Sequence, residues 1–204
     1  MGLGNPGPKY SETRHNAGFL LIDSIIDQWK AEVLPRGRNY WLWQTRHRET
    51  AVYLMKPTTY MNLSGRALVE FLMNVPLDRE QILIVYDDLA LPLGQIRVRS
   101  KGSDGGQKGL RDICECLQTN QVARIRLGIG PLPQELPRVD YVLQKFGEDE
   151  RVLFDKACER AILAASDWLK DSMQTVMSRY NAKVPQDNIV SEERTTPVEG
   201  RELK

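Results

Sequence analysis

Two histidines, His15 and His47, are the only side chains of this 204-residue chain whose ordinary pKa lies close to neutrality. General acid–base chemistry must therefore pass through one of them or through carboxylates. His15 follows a Gly/Pro-rich turn and precedes an apolar helical pattern, a loop-to-helix junction of the kind that displays functional side chains. His47 stands between Arg46 and Arg48 in a predicted turn and reads as a solvated surface residue. Among the carboxylates, Asp87 and Asp88 end the apolar run Gln81 to Tyr86. Functional groups of α/β folds gather at the carboxyl ends of strands, which makes Asp87 a candidate partner for His15; a loop-capping pair is the alternative use. An aspartate bonded to one ring nitrogen leaves the other free to accept a proton. Ser64 and Ser103 lack the flanking glycines of a nucleophile elbow, and no cysteine adjoins a histidine in sequence. Water is then the simplest nucleophile for such a dyad.

Composition narrows the remaining chemistry. Three cysteines, Cys114, Cys116 and Cys158, are odd in number and lack metal-ligand spacing, so they read as reduced thiols of a cytosolic protein, with no metal. No apolar run approaches the roughly eighteen residues of a membrane span, and the start carries no basic, apolar signal segment. The net charge of +1 says nothing about nucleic acid, but its distribution does. Between Leu91 and Arg126 seven bases (Arg97, Arg99, Lys101, Lys108, Arg111, Arg124, Arg126) face three acids. Gly2 to Gly7 matches a dinucleotide fingerprint in letters only: nothing but Met1 precedes it, and Pro6 and Pro8 oppose the helix it should open. The bases and aromatics of Arg36 to Trp43 could stack nucleobases, but at a strand start Tyr40, Trp41 and Trp43 read as packing.

The elements that must position these groups follow from periodicity. Phe19, Ile22, Ile26, Trp29 and Val33 form a helical stripe over residues 17–33. Residues 40–45 and 50–55 read as strands joined by a polar turn over 46–49. A loop over 56–64 ends at Ser64, a good N-cap for a helix over 65–74. The run 81–86 has the continuous apolarity of a strand buried on both faces, and 95–99 and 124–130 alternate as strands. A glycine-rich loop over 102–109 enters a helix at 110–117, and 148–180 holds a long helical pattern. Strands interleaved with helices predict a single α/β globule around a twisted mixed β-sheet flanked by helices. The predicted domain covers 1–180; residues 181–204, with four bases, five acids and hardly any large apolar side chain, read as a disordered tail.

Taken together, several motifs carry a resemblance. They are GLGNPG over 2–7 with Tyr10 and Thr13 to Gly18; Lys56 to Gly65 (KPTTYMNLSG); Tyr86 to Leu89 with Leu91 to Gly94; Gly105, Gly106 and Gly109; and Arg124 to Gly130 (RIRLGIG). In order and spacing these resemble the bacterial-type peptidyl-tRNA hydrolases over about residues 1–180. The resemblance implies a cytoplasmic monomer without metal or other cofactor that hydrolyses the ester joining a peptide to the 3′ end of tRNA. It implies His15 as the catalytic histidine and Asp87 as the aspartate that orients it. Asn5 and Asn62 match asparagines that hold the peptide main chain and the water or oxyanion, and Tyr10 and Tyr60 match aromatic positions lining that pocket. Arg99 and Arg126 match bases that clamp the tRNA 5′ phosphate. Without the resemblance, Asn5 reads as a turn residue and Asn62 as a helix entry. The sequence departs from the family pattern at Gln107 and Lys108, where many members have His-Asn, and at Ala90, where many have Asp. Lys108 at that position adds charge toward an RNA backbone. Members usually carry a short apolar strand ahead of GLGNPG, so further residues upstream of Met1 are expected, since a missing central strand would expose its neighbours. A non-catalytic RNA-binding relative is the alternative, disfavoured because a binding module does not require His15, Asp87, Asn5 and Asn62 together.

Overall fold

The computed structural model describes residues 1–182; the predicted tail, apart from its first two residues, lies outside them. Helix α1 (Ala17–Trp29) is followed by strands β1 (Glu32–Leu34), β2 (Tyr40–His47) and β3 (Thr50–Pro57), then α2 (Ser64–Asn74) and β4 (Leu83–Pro92). Strand β5 (Ile96–Arg99), helix α3 (Lys108–Leu117), strand β6 (Ala123–Gly130) and helices α4 (Arg138–Val142), α5 (Glu148–Trp168) and α6 (Met173–Asn181) complete the chain. β1, β2 and β3 form an antiparallel sheet; in the second, order β4-β6-β5, β4 runs parallel and β5 antiparallel to β6. Residues 1–3 join the two: Gly2 N–H donates to Met55 O at 3.0 Å, Val85 N–H to Met1 O at 2.9 Å and Leu3 N–H to Val85 O at 2.8 Å. The predicted α/β globule with mixed strands is therefore present, as two three-stranded sheets stitched through the first three residues. An apolar cavity of about 550 Å³ lies at this seam, walled by Thr50 to Met55 of β3, Leu83, Ile22 and Trp168.

The two faces of the strands carry separate cores. Val85, Val98, Ile125, Leu127 and Ile129 pack with α1, α5 and α6, whereas Leu3, Leu42, Met55, Ile84 and Tyr86 pack with α2 and α3. The helical patch at the start of α1 meets the first residues at backbone range: a Cβ on Gly18 would lie 2.5 Å from the Leu3 backbone, and one on Gly2 2.3 Å from Gly18 O. Those two glycines let the opening segment lie directly on the helix.

Several boundaries differ from the periodicity reading. The β2–β3 connection is only the pair Arg48 and Glu49, both with positive φ (47° and 66°), a primed two-residue hairpin that carries the strands out to His47 and Thr50. α1 stops at Trp29, where Lys30 turns left-handed, and Val33 pairs with Trp43 instead of continuing the helix. Ser64 is the first residue of α2 and not its N-cap; its hydroxyl donates to Met61 O, while Asp112 of α3 accepts from Gly65 N–H at 2.6 Å. The helical pattern over 148–180 breaks at residues 169–172 into α5 and α6. Asn181, expected in the tail, is the last residue of α6; its side chain pairs with Val98 N–H and C=O, closing the β5 edge. His47 is half-buried, not solvated. It stacks on Trp29 at 3.9 Å between ring centroids, with Nε2 2.8 Å from Ser166 Oγ, because the extended hairpin folds over α5.

Candidate active site

His15 occupies a 3₁₀ turn, Arg14–Asn16, that runs directly into α1. Its neighbours hold that turn from both sides. Arg14 is buried: its N–H donates to Gln144 O, its guanidinium pairs with Glu150 at 2.6 Å, and it lies over the rings of Tyr141 and Phe146. Asn16, equally buried, clasps Asn5, accepting from its N–H at 2.8 Å and donating to its C=O at 3.0 Å. Asn5 Oδ1 in turn accepts from Met61 N–H at 2.8 Å. A backbone N–H can only donate, so this bond fixes the carboxamide's orientation. The Asn5 Nδ2 group is left with no hydrogen-bond partner among the described residues.

β4 delivers Asp87 to the other side of His15, with Asp87 Oδ2 2.8 Å from His15 Nδ1. The carboxylate is 5% exposed and the imidazole 20%. The carboxylate accepts, so Nδ1 carries the proton, and in the neutral ring Nε2 keeps its lone pair. Burial pushes the His15 pKa down, but the charge of Asp87 and the hydrogen bond to it outweigh burial and the opposing charges of Arg138 and Lys108, leaving it above 6.5. Asp87 Oδ1 accepts from Gln107 Nε2 at 2.8 Å. Gln107 and Lys108 enter α3 through a turn in which Gly105 and Gly106 take positive φ (58° and 80°), open to glycine without strain.

The remaining predicted residues divide into two groups. Met61, bonded to Asn5, begins the 3₁₀ turn that contains Asn62, so Asn62 and its neighbour Tyr60 border the Asn5 clasp; both are exposed, Tyr60 by 61%. Tyr10 is half-buried in the turn ahead of His15, and Lys108 is exposed at the first turn of α3, close enough to act on His15 by charge. Arg99 and Arg126 lie elsewhere on the sheet. Asp88, the residue after Asp87, pairs with Arg126, as the alternation of side chains along a strand requires of adjacent carboxylates. Arg97 is directly opposite Arg126 in the β5–β6 pairing, and Arg99 is opposite Arg124. Arg124 is spent on structure: it is 1% exposed and donates to the carbonyls of Val122, Gly102, Ser103 and Asn120. Desolvation and the adjacent charges of Arg97 and Arg126 lower the Arg99 pKa.

Sequence reasoning missed Asn16, Gln107 and Arg14 as parts of this site. Asn16 stands next to His15, yet its clasp on Asn5 spans eleven residues and carries no local signature. Gln107 stands out in the sequence only as a departure from the family pattern. Among the described residues no group of three or more His, Cys, Asp or Glu is arranged to hold a metal ion, and no helix is long and apolar enough to cross a membrane.

The family model described as peptidyl-tRNA hydrolase matches residues 1–188. Peptidyl-tRNA hydrolase of Chlorobium phaeobacteroides is 42% identical over 185 residues, covering 90% of this chain and 97% of its own, and that of Kosmotoga olearia is 39% identical over 183 residues, covering 89% and 96%. Among solved structures, peptidyl-tRNA hydrolase from Acinetobacter baumannii superposes with a TM-score of 0.83 at 32% identity, covering 89% of this chain and 92% of that one. This chain belongs to the peptidyl-tRNA hydrolase family.

Proposed function

We propose that this protein hydrolyses peptidyl-tRNA with a water molecule activated by His15. The observation that carries the reading is the His15–Asp87 hydrogen bond, set beside an asparagine amide with an uncommitted donor. Asp87 holds the proton on Nδ1, so Nε2 takes a proton from water as the water oxygen adds to the ester carbonyl. The imidazolium then returns a proton to the departing ribose oxygen as the carbon–oxygen bond breaks, giving a free peptide acid and tRNA. General-base help of this kind is typically worth about 10²–10⁴ in rate. Asn5 Nδ2 is a donor for the carbonyl oxygen as it gains charge, and its locked orientation requires no reorganisation at that moment. Asn62, Tyr60 and Tyr10 line the peptide side, Lys108 meets the acceptor end of the RNA, and Arg99 and Arg126 bind a terminal phosphate, which guanidinium groups pair more specifically than ammonium groups.

Release of an N-blocked amino acid from aminoacyl-tRNA by the purified protein, beside His15→Ala, tests the reading. Wild-type cleavage that the variant lacks is expected, slowing as salt rises because phosphate contacts release counterions. Equal release by both proteins would sink the mechanism, and tight tRNA binding without cleavage would favour the non-catalytic RNA-binding alternative.

A further inference from the structure

Gln107 has a place in the geometry that the mechanism above does not use. It is 4% exposed and occupies the N-cap position of α3, where its Oε1 accepts from Gly109 N–H at 2.6 Å and Leu110 N–H at 3.3 Å. Both are backbone donors, so the oxygen of the carboxamide must face the helix and the NH₂ group must face away from it. Away from it lies Asp87, whose Oδ1 receives that NH₂ at 2.8 Å while Oδ2 receives His15 at 2.8 Å. A carboxylate held at both oxygens cannot rotate without breaking one of the two bonds.

We infer that Gln107 is a positioning residue for the reaction: it pins the Asp87 carboxylate so that Oδ2 stays on His15 Nδ1, and so ties the imidazole to the N-terminus of α3. The inference rests on the assignment of His15 and Asp87 proposed above. A residue that only capped the helix would bear on stability alone. Gln107→Ser separates the two roles, since serine is a good N-cap but is too short to reach Asp87; Gln107→Met keeps the length and loses the bonds to Asp87, Gly109 and Leu110. The charged groups facing His15, Asp87 from β4, Lys108 from α3 and Arg138 from α4, are unchanged in either variant.

With peptidyl-tRNA as substrate, both variants should lose about tenfold or more in kcat at nearly constant KM, the scale on which outer partners of catalytic groups act. In an Asp87→Asn background the same substitutions should cost less than about twofold, because the group they act through is gone. A second readout needs no turnover. The nuclear magnetic resonance signal of the His15 Nδ1 proton, assigned by its loss in His15→Ala, should be sharp in the wild type and broadened by exchange in Gln107→Met. An active, His15-dependent wild type whose Gln107→Ser variant matches it in kcat would overturn the inference while leaving the proposed function standing. An unaltered Nδ1 proton in Gln107→Met would overturn it whatever the activity. Failure of the proposed function looks different: cleavage absent from the wild type or indifferent to His15.

Discussion

The end of β4 and the outer strands β5–β6 are built on opposite electrostatic plans, although Asp87 and Asp88 connect them residue to residue. Around His15 the catalytic pair is fixed in advance, with Asp87 accepting at both oxygens and Asn5 and Asn16 holding each other, although among the described residues Asn5 Nδ2 and the buried Nε and Nη1 of Arg14 have no partner. Around Arg97, Arg99 and Arg126 the charges are of one sign, and among the described residues Asp88 is the carboxylate paired with them and the Nε of Arg97 is buried without a partner. The first arrangement suits a reaction in which nothing should move when charge develops. The second keeps repulsion in the free protein that an arriving anion relieves, which suits binding. One strand end thus carries both arrangements because successive side chains leave it on opposite faces.

The contrast can be broken most forcefully at the dyad. His15→Ala should lower kcat by about 10²–10⁴ with KM nearly unchanged; a loss confined to KM would place His15 in binding instead. Next in size is Arg124→Leu. Removing a buried guanidinium that satisfies four carbonyls should cost about 2–4 kcal/mol in a denaturant titration. Its neighbour Arg126 should behave differently. Arg126→Ala should raise KM severalfold, roughly 1 kcal/mol, leave kcat near wild type, and reduce the slope of log affinity against log salt by about one; similar stability losses at both positions would erase the distinction between a structural and a binding arginine.

The smallest effect, and the one that joins chemistry to stability, is in pH. His15 must be neutral to accept a proton, and its pKa lies above 6.5, so kcat/KM should rise with pH through a midpoint above 6.5. The stability linkage has the opposite sign. Because the folded-state pKa is raised, the stabilisation contributed by protonated His15 is fully present below 6.5 and is lost as pH rises through the folded value. Thermal midpoints of wild type and His15→Ala across that window should converge as activity in the wild type appears. Convergence in the acid direction would reverse the assignment of the shift.

Periodicity and residue type brought out β4, β6, α2 and α3 in outline because each has a strong local pattern. The β2–β3 hairpin was legible but its tightness was not, because neither Arg48 nor Glu49 is a glycine or asparagine, the usual sign of positive φ. The long helical pattern over 148–180 hid a break, since apolar spacing continues across the Leu169–Ser172 corner while the backbone does not. His47 was misread for a related reason: two flanking arginines look solvated, yet a hairpin laid over α5 half-buries the ring between Trp29 and Ser166.

By itself the sequence determined which chemistry was available. It has two histidines, an apolar strand that must end in carboxylates, glycines where backbones must touch, and seven bases against three acids between Leu91 and Arg126. These are properties of composition and short-range order, and they survive without coordinates. Only the tertiary structure decided how the groups are used. It set Asp87 against a histidine 72 residues away, turned Asp88 to Arg126, and buried Arg124 while leaving Arg99 half-exposed. It also set Gln107 between the N-terminus of α3 and Asp87. Such pairings depend on strand register and on which face of the sheet a side chain leaves, and both are fixed by long-range packing that no local window contains.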